Sequence, residues 1–157
     1  MAEHRIRTRA VDFTVHRDLT RYLDLLDAYA RDPMGAGRPL PGEVRERLAA
    51  DLPRHPAAHG LLALQGETAV GFATCFLGYS TFLARPLLNI HDIAVLPEWR
   101  GRSVARHILS AIDDLGRRLG CCRITLEVRE DNLQARRIYQ RAGFVPGQCN
   151  LFMERPL

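Results

Sequence analysis

The chain has no run approaching the roughly 20 apolar residues that a membrane-spanning helix needs. Its opening residues, MAEHRIRTRA, lack the apolar core of a signal peptide. Both absences lead to the expectation of a cytoplasmic protein with no membrane partner. The four cysteines, Cys75, Cys121, Cys122 and Cys149, form no Cys-x-x-Cys pair, so they read as small buried hydrophobes rather than metal or redox ligands. Six histidines are scattered along the chain. His55 and His59 have helical spacing, but Pro56 lies between them, and no metal site is expected. Internal repeats and low-complexity tracts are missing as well.

An acidic excess is also missing: the formal net charge is +4 and the pI about 9.2. A basic balance raises the question of nucleic acid, yet the arginines are spread over the whole chain among many acidic residues. A polyanionic cofactor accounts for the excess at least as well, and no nucleic-acid partner is expected. With 157 residues, 46% hydrophobic and 25% charged, residues 1–157 read as one globular domain with one core.

Periodicity supplies the elements. A first strand is expected over 6–14, then a helix to Arg31 with Leu19, Tyr22, Leu23, Leu26 and Tyr29 on one face. Residues 32–42, rich in Gly and Pro, read as a loop over the active site. A short helix over 43–52 precedes two strands, 59–64 and 69–79, joined by the turn Gln65-Gly66-Glu67. A fourth strand is expected over 87–96 and a third helix over 104–119, stopped by Gly120. Alternation at Ile124, Leu126 and Val128 gives a fifth strand, and Asn132 caps a fourth helix that ends at Gly143. Residues 144–146 and 149–153 are expected to be short final strands. This order gives a mixed α/β (α+β) sheet with helices on both faces.

Two signals stand out. In the first, the apolar residues 93–96 stop at Pro97, and Trp99-Arg100-Gly101-Arg102-Ser103 opens the third helix. The first turn of a helix leaves backbone N–H groups unpaired at the positive end of the dipole, which suits a phosphate. Gly101 lets backbone approach a ligand, while Arg100, Arg102 and Arg106 add charge. Ser103 also reads as an ordinary N-cap. The second signal is Asn132, Ala135, Tyr139, Gly143 and Phe144 at a fixed distance behind the first.

Together these resemble the GNAT superfamily of acyl-CoA-dependent N-acetyltransferases, whose pattern is an Arg/Gln-x-x-Gly-x-Gly/Ala loop followed by Asn-x-x-Ala-x-x-x-Tyr and Gly-Phe. The loop here is Arg100-Gly101-Arg102-Ser103-Val104-Ala105, with Ser103 where the family usually has Gly. The resemblance covers about 69–144, and Val70-Gly71-Phe72-Ala73 looks like the family's third strand. It implies a mostly antiparallel sheet splayed between its fourth and fifth strands, with the pantetheine arm of acetyl-CoA in the gap. The cofactor-binding residues it implies are Ile93, Ala94, Val95, Arg100, Gly101, Arg102, Ser103, Val104, Ala105, Arg106, Asn132 and Ala135. A backbone N–H at a bulge within 93–95 would polarise the thioester carbonyl.

The resemblance also implies catalytic residues. Tyr139 matches the tyrosine that protonates the departing thiolate. Two bases stay open: Glu127, in a run like that of the ribosomal-protein alanine acetyltransferases, and His91, at the place where diamine acetyltransferases carry a Glu. Alternation would turn Asp92 away from His91, toward a structural role. The implied activity is transfer of an acetyl group from acetyl-CoA to a primary amine of a small molecule, with acidic residues such as Asp24, Asp27, Asp32, Glu43 and Glu46 available to a cationic acceptor. A protein N-terminal acetyltransferase and a non-catalytic acyl-CoA-binding module remain open, as does a homodimer.

Overall fold

A computed structural model describes residues 5–147 and 152–157. Five strands, β1 (Ile6–Ala10), β2 (Ala58–Gln65), β3 (Thr68–Ser80), β4 (Arg85–Val95) and β5 (Ile124–Leu126), form one sheet in sequence order. Neighbours from β1 to β4 run antiparallel, whereas β4 and β5 are parallel. A parallel pair needs a crossover, which α3 (Val104–Arg118) supplies. Helices α1 (His16–Arg31) and α2 (Gly42–Asp51) cover one face; α3 and α4 (Leu133–Arg141) cover the other.

The period of two along β2 divides the core. Leu61 and Ala63 face α3, where Val104, Ile108 and Ile112 form a fully buried stripe. Leu62 and Leu64 face α1 and join Tyr22, Leu23, Leu25 and Phe72. Burying one such side chain contributes roughly 1.5–3 kcal/mol. Tyr22 meets Phe13 and Phe72 edge-on at 5.2 and 5.5 Å, and its buried hydroxyl lies 2.5 Å from Thr74 Oγ1, so its polar end is satisfied.

Several boundaries differ from the pattern. The first strand stops at Ala10, because the Asp12 carboxylate accepts hydrogen bonds from the Thr14 N–H (2.9 Å) and hydroxyl (2.6 Å) and turns the chain. The fifth strand is three residues long, and Val128 is exposed rather than on a buried face. Residues 144–147 are not a strand, nor are Phe152 and Met153; Asn150 and its neighbours in 148–151, including Cys149, lie outside the described residues. Cys75 is fully buried as expected, whereas Cys121 and Cys122 are only partly so.

Two bulges break the alternation. Leu64 pairs with Ala69 and Ala63 with Gly71, leaving Val70 extra, and Val70 turns to the α3 face beside Gly71. A Cβ at Gly71 would sit 3.0 Å from Ala94 O and 3.1 Å from Ile108 Cδ1, so glycine permits α3 to approach the sheet closely. In β4, Thr74 pairs with Asp92 and Cys75 with Ile90, leaving His91 extra. The β4 bulge is therefore at His91 and not within 93–95.

Candidate active site

β4 and β5 pair over three positions only: Leu88 with Ile124, Asn89 with Thr125, Ile90 with Leu126. Beyond Ile90, β4 continues to Val95 while β5 has ended, so the edge carrying Ile93, Ala94 and Val95 has no strand beside it. Asn89 Nδ2 donates to Thr125 Oγ1 at 3.1 Å and ties the two strands together one pair before the opening. One step further along the register, His91 and Glu127 occupy the two sides of the opening. Both are exposed.

The loop between β4 and α3 closes one end. Gly101 and Ser103 both have left-handed backbones, at φ 75 and 63. A Cβ at Gly101 would meet no atom within 4 Å, so its glycine serves conformation and ligand approach rather than packing. Ser103 is the N-cap by position, but its backbone is left-handed rather than extended and its hydroxyl makes no capping bond. His107 is the first residue whose N–H reaches a carbonyl of this turn, Ser103 O at 3.2 Å, so Val104, Ala105 and Arg106 keep outward-facing donors. Two of the expected phosphate cations are engaged elsewhere. Arg100 binds Asp32 at 2.7 Å and Val95 O at 3.1 Å, and Arg102 lies over the Trp99 ring at 5.0 Å.

On the α3 face, Asn132 Oδ1 accepts from Ala135 N at 3.1 Å and starts α4. Tyr139 lies two turns on and packs against the core, with its ring 6.0 Å from that of Phe144. Burial pushes its phenol up to about 12, and the other group acting on it is Tyr29 of α1. The two phenols pack on opposite faces of the sheet, Tyr139 on the α3 side and Tyr29 on the α1 side.

On the α1 face, the bulge corrects one expectation: Asp92 pairs with Thr74 and faces Tyr22, while His91 contacts Phe76, so both side chains lie on this face. Burial pushes the Asp92 carboxyl up, against the opposing pull of the neighbouring His91 and a hydrogen bond with Thr74. Burial also raises the phenol of Tyr29, with Asp92 and Asp32 adding to it. Of the acids suggested for a cationic acceptor, Asp24 is paired with Arg45, Asp27 with Arg31 at 2.9 Å and Asp32 with Arg100. The loop 32–41 is tied down onto α1: Ala36 N and Arg38 N donate to Ala30 O, and Leu40 N donates to Asp27 Oδ1 at 2.8 Å. A cavity of about 280 Å³ lies between α1, this loop and the end of β4. A larger one, about 370 Å³, lies by Arg117, Cys121 and Phe144 and holds none of the candidate site residues.

The profile of the acetyltransferase (GNAT) family matches residues 22–144, which is most of the chain. The chain belongs to that family. Among relatives of this GNAT protein, the thialysine N-epsilon-acetyltransferase of Bos taurus is 30% identical over 79 residues, 50% of this chain and 46% of its own. The Caenorhabditis elegans enzyme of the same name is 28% identical over 64% of this chain and 61% of its own. The aminoglycoside N(6')-acetyltransferase type 1 of Salmonella typhimurium is 26% identical over 60% and 67%. The matches to the thialysine enzymes thus span about half to three fifths of their length. Among solved structures, an aminoglycoside acetyltransferase from an uncultured soil metagenomic sample, in complex with sisomicin, superposes with a TM-score of 0.81 at 14% identity, covering 97% of this chain and 96% of its own. The ribosomal-protein-alanine N-acetyltransferase of Brucella melitensis gives 0.75 at 17%, covering 96% and 99%. At these identities the likeness shows the fold.

In this GNAT chain Tyr29 and Phe76 carry no motif signal, and Asp92 reads from alternation alone as structural. Tyr29 gave a signal only as one apolar position of α1. For Asp92, the signal was a carboxylate within an apolar strand, a costly placement that asks for a reason.

Proposed function

We infer that this protein transfers an acetyl group from acetyl-CoA to a primary amine of a small molecule by direct attack in a ternary complex. The observation that carries the reading is the opening beyond Ile90, flanked by the donor-rich turn at 101–106 and by Tyr139. The residues present fit an acyl-CoA. The room at Gly101 and the free N–H groups of the first turn suit a pyrophosphate, and the unpaired edge at Ile93, Ala94 and Val95 suits the amides of a pantetheine arm. Asn132 and Ala135 would border that arm from α4, although the Asn132 oxygen is spent on its cap. Acetyl-CoA supplies the activated acyl group.

In this reading the backbone at the His91 bulge, unpaired with β3, offers an N–H to the thioester carbonyl. Tyr139 stays protonated at any physiological pH. A phenol near 12 is a weaker acid than a thiol of about 8.5, so it serves best by donating a hydrogen bond to the developing thiolate. The base is one of two residues. Glu127 keeps the family's residue type and its spacing to Tyr139, whereas His91 stands at the bulge itself, next to Asp92. The tied-down loop 32–41 narrows the acceptor side, which favours a small amine over a peptide terminus. The proposal includes action in the cytoplasm and leaves a homodimer open to light scattering.

The test is thiol release from acetyl-CoA with a panel of small amines and amino-terminal peptides. The expected result is release with small amines, and a loss of the amine-independent acidic limb of kcat/KM in only one of Glu127→Gln and His91→Ala. Release with peptides alone would assign a protein N-terminal substrate. CoA binding with no release from any acceptor would assign a binding module.

A further inference from the structure

On the α1 side of the sheet the core ends at Phe72 on β3 and Ala94 on β4. Further along the same face lie Phe76 and Leu87, which join neither core cluster and stay partly exposed. The period of two puts Gly78 on this face with Phe76, and Asn89 with Leu87, opposite the buried Leu88. A Cβ at Gly78 would touch Leu87 Cδ1 at 3.4 Å, so glycine leaves that leucine uncovered. Two exposed imidazoles adjoin the Phe76 ring, His55 at 5.3 Å and His91 at 5.5 Å between centroids. Phe76 pairs with Asn89 and Asn89 with Thr125, so this shelf of rings runs up to the opening between β4 and β5. Its last ring belongs to His91, the bulge residue whose N–H serves the thioester carbonyl in the reading above.

We propose that this shelf is the acceptor subsite, and that the acceptor is a primary amine with a single positive charge and a neutral aromatic or heteroaromatic group. The ring lies against Phe76, Leu87 and His55 while the amine reaches the opening between His91 and Glu127. This rests on the acetyltransferase reading above and narrows its substrate class. Exposed apolar and aromatic surface that adjoins a reaction centre suits a flat apolar group, which stacks edge-on or offset against such rings. Neighbouring positions on one face of a strand are ~7 Å apart, so a tether of about two carbons links a ring over Asn89 to an amine at His91. Charge decides against a polyamine. Asp51, close to His55 in the chain, pairs with Arg54 at 3.4 Å. Glu43 and Glu46 make no ion pair among the described residues, but they stand in the first half of α2, whose other end leads to His55. Glu127, exposed and in no ion pair among the described residues, is left at the opening, so one ammonium finds a partner and a second does not. In the transfer the neutral amine attacks the thioester carbon. Its C–N bond forms as the C–S bond breaks, one amine proton passes to the base, and the coenzyme leaves as thiolate.

The test is thiol release from acetyl-CoA by the full chain with phenethylamine, tryptamine, propylamine and spermidine. Burial of a ring should raise kcat/KM for phenethylamine roughly tenfold or more over propylamine, chiefly through KM, with spermidine no better than propylamine. Phe76→Leu keeps an apolar side chain but removes the ring, and should cut the phenethylamine-to-propylamine ratio about three- to tenfold. His55→Ala, at an exposed position, should cut the same ratio roughly twofold or more. A change of fold or of cofactor binding lowers both amines together and leaves the ratio alone. A wild-type ratio near one, with thiol still released, overturns the shelf and leaves the acetyltransferase reading standing, as does a ratio unchanged in both variants. Preference for spermidine overturns the single charge. Release from no amine, alkyl or aryl, overturns the small-amine reading and the shelf with it. His55→Ala decides alone if Phe76→Leu does not fold.

Discussion

Ser103 holds a left-handed backbone that favours glycine, and its hydroxyl returns no capping bond for the strain. Replacing it by Gly relieves that strain but frees the unfolded chain, which offsets part of the gain. Ser103→Gly should therefore raise stability by about 0.5–1 kcal/mol, or roughly 1–4 °C in Tm by scanning calorimetry. A lower Tm would show that the hydroxyl makes a stabilising contact. Tyr139 is tested through turnover. Tyr139→Phe keeps the ring against Phe144 and deletes the hydroxyl, so kcat should fall roughly 100-fold or more while calorimetry shows CoA affinity nearly unchanged. Equal turnover would reduce Tyr139 to a packing residue.

The element that most depends on one small residue is the loop after α1. A Cβ at Gly35 would lie 2.2 Å from the Tyr29 carbonyl oxygen, a backbone atom that cannot swing away. The same loop carries Asp32, whose pairing with Arg100 joins it to the end of β4 and holds the carboxyl below its usual range. Gly35→Ala should cost about 1–3 kcal/mol in urea unfolding, as overpacking does, and should raise the KM for the acceptor through displacement of Tyr29 and Asp32. Unchanged stability would mean that the loop has room to shift.

Across the whole molecule two carboxyls, Asp18 and Asp92, respond to pH in opposite senses. Asp18, 8% exposed at its side chain, is bound by Arg9 and held below its usual range. Its stabilisation is present above the unfolded pKa of about 3.9 and is lost as pH falls through the folded value. Asp18→Asn should cost about 2 kcal/mol at pH 7, less than a fully buried pair because Arg9 keeps solvent contact, and the gap should close below pH 4. Asp92 is raised, so its contribution is present below about pH 3.9 and lost as pH rises through its folded value. The Tm of Asp92→Asn relative to wild type should therefore climb from pH 4 to pH 8; a difference independent of pH would place Asp92 outside the titrating groups. A further property belongs to the chain as a whole. All 22 residues counted as Lys+Arg are arginine, so a bound thioester meets no lysine amine anywhere in the protein.

Local chemistry was enough for much of this protein. The stripe of Val104, Ile108 and Ile112, the stop at Gly120 and the cap at Asn132 follow from spacing and from the backbone needs of helix ends, so α3, α4 and the motif between them were legible in sequence. So was the Gly101 turn, because a positive φ asks for glycine. Tertiary structure decided where those residues point. The extra residue His91 undid the period of two that had sent Asp92 to the other face, and bulges are set by what the neighbouring strand pairs with rather than by the strand's own pattern. The arginine partners of Asp24, Asp27 and Asp32, and the cavity between α1 and β4, depend on contacts between residues up to 68 positions apart in the chain. Periodicity reports which face of an element is apolar; it carries no term for which element that face, or that charge, will meet.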